Sequence, residues 1–248
     1  MIKKTLYIFL ISLLIGNLLI SSYFIYKEFK QNKEQDQTFE ELIEVVEETT
    51  QENENNDELN LYSLYEMNND LVGWIRIENT NINYPVVKSK VKNYYLRKDF
   101  YKNYSSYGTP FLAENCNVNV SDNLIIYGHH MRNRKMFGSL EDYKSKLFYE
   151  KNKIIDFYTL DRDETVKTEY EIFAVFKTVA YSSNGFKYYN YINFNNKEEY
   201  DDFIDKVKQL SLYDTGVKAE YGDEILTLST CEYSNKNGRL VIMARKIK

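Results

Sequence analysis

The chain has 248 residues, enough for one sizeable domain with appendages. It is 43% hydrophobic and 16% aromatic, so a core can form, while a formal net charge of −5 offers no basic footprint for a nucleic-acid partner. Only two cysteines are present, Cys116 and Cys231, which excludes a scaffold stapled by many disulfides and leaves either one bridge or a thiol kept free for reaction.

From Thr5 to Tyr26 there is no charged residue, and these 22 residues would form a helix of roughly 33 Å, long enough to cross a bilayer. Lys3 and Lys4 precede the run and Lys27, Lys30 and Lys33 follow it, so flanking charge does not fix the orientation. The run is long for a cleaved signal peptide, and no small-x-small site ends it. Residues 1–26 are therefore expected to be a cytoplasmic end and single-pass signal-anchor, with the bulk of the chain outside the cell. Residues 27–57 are rich in Glu, Gln and Asn and read as a polar, acidic, partly helical stalk.

The folded domain is expected over 58–248. A short helix around Leu61, Leu64, Tyr65 and Met67 leads into it. Strands rich in Val, Ile, Tyr, Phe and Thr are predicted at Gly73–Ile77, Tyr84–Val87, Leu124–Tyr127, Lys153–Leu160, Val166–Ala180, Glu224–Cys231 and Arg239–Ile247. Asp161-Arg162-Asp163-Glu164 reads as a hairpin turn. A helix is expected over Leu140–Tyr149 with Ser139 as its N-cap. A clearer one covers Lys197–Leu210: Tyr200, Phe203, Ile204, Val207 and Leu210 share a face, and Asn196 with Glu199 resembles a capping box. Short strands with two helices predict a mainly β fold, a barrel or sandwich carrying helical insertions.

Three side chains stand out. Cys231 ends the strand Ile225-Leu226-Thr227-Leu228-Ser229-Thr230-Cys231, where alternation puts Thr227, Ser229 and Cys231 on one face. A lone cysteine is more often a small buried hydrophobe than a nucleophile. His129 follows the apolar strand Leu124–Tyr127 and a glycine. It and His130 are the only histidines, and on an extended chain only one of the two faces a given site. An imidazole there can act as acid or base and can activate a thiol; a surface histidine pair is the bland alternative. Arg239 lies eight positions after Cys231, beyond a turn-rich loop, so a hairpin would return it beside the thiol. There a guanidinium could hold a carbonyl or an oxyanion, with Arg245 as the competing candidate. A zinc site from Cys116, Cys231, His129 and His130 lacks paired ligand spacing, and no cofactor is expected.

Thr227-Leu228-Ser229-Thr230-Cys231 resembles the TLxTC signature of sortases, Gly238-Arg239-Leu240-Val241-Ile242 resembles the segment carrying the sortase arginine, and Tyr127-Gly128-His129-His130-Met131 resembles the Y-G-H-x-M segment of class B members. Val72–Ile77, Ile82–Val87 and Tyr95-Leu96 with Asp99-Phe100 are similar to class B as well. The resemblance runs from about residue 59 to the end. One departure is Phe111-Leu112-Ala113-Glu114-Asn115, which stands where many class B members are rich in aspartate.

The resemblance implies a closed β-barrel of about eight strands with N-terminal helices and a helix-bearing insertion between late strands. It also implies a cysteine transpeptidase with Cys231 as nucleophile, His129 as acid and base, and Arg239 orienting the peptide and steadying the oxyanion. Ser229 and Glu232 match peptide-contacting positions of relatives, and Leu96, Tyr191 and Ile192 are further candidates. The implied partners are surface proteins with a C-terminal sorting motif, of an Asn-Pro-x-Thr type, and an amine of a peptidoglycan peptide or lipid-linked precursor. A cysteine protease that only hydrolyses, or a non-catalytic surface-binding protein, would carry many of the same features.

Overall fold

A computed structural model describes residues 2–51, 59–161, 164–183 and 185–247. The chain divides into two compact units, Met1–Glu41 and Leu42–Lys248. The first is built from helix α1 (Ile2–Gln51). Its large apolar side chains from Leu6 to Phe29 are exposed, and among the described residues it is the one helix long and apolar enough to cross a membrane. No helix break marks the change to acidic composition after Tyr26. The stretch read as a solvated stalk stays helical to Gln51, and Leu42 and Val46 are buried in the second unit. Residues 52–57 of that stretch lie outside the described residues.

The second unit opens with the short helix α2 (Tyr62–Met67). Its strands are β1 (Leu71–Arg76), β2 (Asn83–Val87), β3 (Phe111–Leu112), β4 (Asn123–Tyr127), β5 (Ile154–Asp161), β6 (Glu164–Val179), β7 (Ile225–Glu232) and β8 (Gly238–Lys246). They close into a barrel in the order β1-β2-β3-β4-β7-β8-β6-β5. Closure leaves no unpaired sheet edge. The barrel is mixed: β2 with β3 and β4 with β7 are parallel, and the other pairs are antiparallel. The strands expected from sequence are all present to within two residues at either end. The exception in the other direction is β3, whose two residues are too few to show a period.

Large rings and branched chains are buried on both faces of the barrel wall, since neighbouring strand residues alternate in direction. Trp74, Phe157, Tyr158, Phe176, Ile225 and Leu228 are among the fully buried ones, each contributing on the order of 2 kcal/mol by removal from water. Gly73 is required where β1 crosses β5, since a Cβ there would lie 2.4 Å from the Tyr158 carbonyl oxygen. Strands β5 and β6 pair with Asp161 opposite Glu164; Arg162 and Asp163 of the expected turn lie outside the described residues.

The helix expected over Leu140–Tyr149 takes a different form. Phe137–Lys144 is a 3-10 helix, Ser145 is extended, and α3 (Lys146–Lys151) follows. Ser139 is not a cap but a buried residue inside the 3-10 segment. The segment starts earlier than expected, and Gly138 in its first turn packs against the Met131 carbonyl, where a Cβ would come within 2.5 Å. Between β6 and β7 the chain leaves the barrel for an insertion carrying α4 (Lys197–Leu210), which buries Tyr200, Phe203, Ile204 and Val207. The Asn196 side chain accepts the Glu199 N–H at 2.9 Å, and the Glu199 carboxylate accepts from the Asn195 N–H at 2.9 Å. Replacing Asn196 with Ala should cost about 1 kcal/mol of stability, read as a lower urea midpoint; an unchanged midpoint would mean that tertiary packing alone sets the helix start.

Candidate active site

Strand β4 runs parallel to β7 with Tyr127 beside Ser229, so the two strands leave the barrel at the same end. The continuation of β4 is Gly128-His129, and the end of β7 is Thr230-Cys231-Glu232. Strand β8 starts at that end, with Arg239 directly opposite Cys231. Cys231, His129 and Arg239 consequently line one cleft of about 470 Å³. Arg245 stands opposite Ile225 at the far end of the hairpin and pairs with Glu171 at 2.9 Å, which removes it as the competing arginine.

The histidine loop is stitched down at each step. Gly128 N–H donates to the Ser229 carbonyl at 3.2 Å, and its own carbonyl accepts from Thr230 Oγ1 at 2.8 Å. Phe137 N–H donates to the His129 carbonyl at 2.9 Å. The ring is held by Nε2–H donating to the Leu96 carbonyl at 2.7 Å. Leu96 lies in a 3-10 turn, Tyr94–Arg97. The buried Tyr95 fixes that turn: its hydroxyl donates to Asp70 at 2.7 Å and accepts from Asn68 at 3.0 Å. Gly108, at φ +62°, passes beneath, where a Cβ would lie 2.6 Å from the Tyr95 carbonyl oxygen.

Burial lowers the pKa of His129 below its ordinary 6.5; the Leu96 carbonyl opposes this, and the nearby Arg97 charge adds to it. Desolvation therefore favours the neutral form of the ring. With Nε2 carrying the proton toward Leu96, Nδ1 holds the free lone pair. Both thiols are free. Cys231 is half-buried on the cleft, whereas Cys116 is buried, with Sγ 3.4 Å from the Asn123 carbonyl oxygen and its pKa pushed by burial up to about 11. The set Cys116, Cys231, His129 and His130 is not gathered, because Cys116 lies against β4 rather than on the cleft. A thiol, an imidazole base and a guanidinium on one cleft can together perform nucleophilic acyl transfer.

The sortase domain profile matches residues 75–247. A curated sortase B of Staphylococcus aureus is 33% identical over 95% of this chain and 94% of its own length. The chain belongs to the sortase family, class B. Another sortase B, from Listeria monocytogenes, is 34% identical over 75% of this chain and 74% of its own length. The solved Staphylococcus aureus sortase B–substrate complex superposes with a TM-score of 0.76 at 32% identity, covering 88% of this chain and 98% of that one. Membership carries the coarse activity of this sortase: cysteine transpeptidation at the cell envelope.

Of the five peptide-contacting candidates, Leu96 and Ser229 line the cleft of this sortase, and Glu232, Tyr191 and Ile192 do not. Strand alternation sends the Glu232 side chain away from Cys231. It is buried, with the Lys144 ammonium at 2.7 Å and the Ser234 N–H at 3.1 Å. Tyr191 packs in the insertion against Phe203, with ring centroids 4.9 Å apart, and its carbonyl accepts from Asn123 Nδ2 at 2.8 Å. Ile192 is buried. Other side chains also line the cleft, none of them proposed from the sequence as a peptide contact: Phe111, Tyr127, Tyr181, and Tyr188, whose hydroxyl lies 2.6 Å from Ser229 Oγ.

Burial opposes ionisation of Glu232, but hydrogen bonds from Lys144 and Ser234 outweigh it and hold the pKa down to about 2, from 4.5. A depressed carboxyl pKa stabilises the fold above the unfolded value, and that stability is lost as the pH falls toward the folded one. Lys144→Met should therefore destabilise by roughly 2 kcal/mol at pH 7, and the gap from the parent should close as the pH falls from 4.5 toward about 2. Unfolding curves across that range test it; a gap independent of pH would assign the loss to packing.

Proposed function

We propose that this chain is a membrane-anchored transpeptidase that cleaves a C-terminal sorting motif after Thr and joins the new carboxyl end to a cell-wall amine. The observation that carries it is the convergence of Cys231, His129 and Arg239 on one cleft, two of them from the ends of parallel strands and one from the paired hairpin strand. A similar solved structure is a complex of sortase B with its substrate, which supports a peptide-substrate role for this chain.

In the proposed reaction His129 Nδ1 takes the Cys231 thiol proton, and Sγ attacks the Thr carbonyl carbon. Charge gathers on the carbonyl oxygen, where the Arg239 guanidinium stabilises it. The C–N bond breaks as His129 returns the proton to the leaving amine, and a thioester remains on Cys231. In the second half an incoming amine attacks that thioester, His129 accepts its proton, and the departing sulfur recovers it. Leu96 and Ser229 are proposed to contact the sorting peptide, which is taken to be of the Asn-Pro-x-Thr type. The amine would come from a peptidoglycan peptide or its lipid-linked precursor.

The exposed apolar length of α1 suits a bilayer, because a helix apolar on all sides has nothing to bury against in water. We assign it as a single-pass anchor with the catalytic unit outside. Tethering then concentrates the enzyme where substrate and acceptor lie.

With the full chain in detergent micelles and a quenched peptide library of sorting-motif variants, cleavage after Thr should vanish in Cys231→Ala and yield a ligated product when an amine is added. Arg239→Lys should lower kcat by about 10²–10³-fold. Cleavage without ligation would make the protein a protease, and equal cleavage by Cys231→Ala would remove the thiol mechanism. Deleting residues 1–26 should preserve peptide cleavage and impair protein anchoring in cells; normal anchoring by the truncated chain would refute the tether argument.

A further inference from the structure

His130 is not on the cleft. Its Nδ1 lies 2.8 Å from the backbone carbonyl oxygen of Cys231. A carbonyl only accepts, so Nδ1 carries a proton and donates it there. The exchange is reciprocal: the Tyr233 hydroxyl, two residues beyond Cys231, donates to the backbone carbonyl of His130 at 3.1 Å. The two rings also pack together, with centroids 4.9 Å apart. The residue after His129 thus grips the backbone of Cys231, while the hairpin after Cys231 grips the backbone of the histidine loop.

Charge reinforces the same junction. Glu141 Oε1 lies 3.6 Å from His130 Nδ1, and Lys144 bridges Glu141 and Glu232, each at 2.7 Å. Glu141 and Lys144 belong to the 3-10 segment that follows the histidine loop, and Glu232 is the neighbour of Cys231. The loop itself is closed by a β-bridge between His130 and Met136, and Phe137 N–H donates to the His129 carbonyl beside it.

We propose that His130 is a positioning residue which, with Tyr233, sets the separation and angle between the His129 imidazole and the Cys231 thiol. The inference rests on the transpeptidase reading above for the roles of those two groups. The physical reason is that His129 and Cys231 sit beyond the last paired residues of β4 and β7, Tyr127 and Ser229, and the hydrogen bonds of Gly128 reach only Ser229 and Thr230, one residue short of each. A proton transfer needs hydrogen-bond reach, and a misplacement of about 1 Å can cost about 10²-fold in rate.

The test uses the full-length protein in detergent micelles with four measurements on each variant: kcat, KM, the rate of iodoacetamide alkylation at Cys231 and the thermal midpoint. His130→Leu keeps the bulk and loses the donor. His130→Asn restores a donor at about the place of Nδ1. The expected result for His130→Leu is a kcat lower by about 10–100-fold with KM near the parent's, and slowed alkylation. His130→Asn should recover most of both losses at a similar thermal midpoint. Parental kcat and alkylation in His130→Leu, or no recovery in His130→Asn, would overturn the proposal. Should His130→Leu fail to fold, Tyr233→Phe decides, since it removes only a hydroxyl from a ring that is 68% exposed; a severalfold loss of kcat supports the clamp and parental kcat refutes it. A parent that cleaves no sorting peptide would sink the transpeptidase reading, and the alkylation rates would still judge the clamp.

Discussion

The site depends on the parallel pairing of β4 with β7. Antiparallel neighbours would send the ends of these strands to opposite rims of the barrel, with the histidine at one and the cysteine at the other. Parallel alignment, Asn123 with Ile225 through Tyr127 with Ser229, delivers both to one rim. It requires a long connection between the two strands, and the chain spends β5, β6 and the helical insertion on it. Register matters as much as direction. A slip of one residue in β7 would turn Cys231 toward Lys144 and bring Glu232 onto the cleft.

The same alternation separates two electrostatic environments along one strand. On the cleft side the groups are a free thiol and an imidazole whose pKa burial lowers. One residue further, on the reverse side, a carboxylate is locked into its ionised form by an ammonium and two donors from Ser234. A desolvated cleft side and a fixed charge on the reverse side are compatible because the strand backbone stands between them.

Much of this was legible in the sequence, for reasons that differ by element. Strand β7 declares itself through the alternation of Leu226 and Leu228 with Thr227 and Ser229, and the eight-residue step from Cys231 to Arg239 is the arithmetic of a hairpin, here realised as a direct cross-strand pair. Helix α4 carries its face and its cap in the sequence. Other features left no local trace. Strand β3 is two residues long. The group that holds His129 is a backbone carbonyl, which every residue possesses, so nothing in the letters marks Leu96 for that task. The 3-10 segment starts at Phe137, ahead of the serine cap signal, where Gly138 packs against Met131, a contact that no local pattern announces. Glu232, next to Cys231 in the chain, lies off the cleft, because side-chain direction is a property of the strand and not of sequence proximity.

The burial of Cys116 also shapes how the enzyme meets oxidants. Its sulfur is held near Asn123 and Ile125, whose partners on β7 are Ile225 and Thr227. Cys231 lies four residues beyond Thr227, roughly 13 Å along the strand, well outside the reach of a disulfide. A sulfenic acid formed on Cys231 therefore has no thiol within the chain to condense with. Its repair falls to a small-molecule or protein thiol from the surroundings, and without one the oxidation proceeds to acids that no longer return.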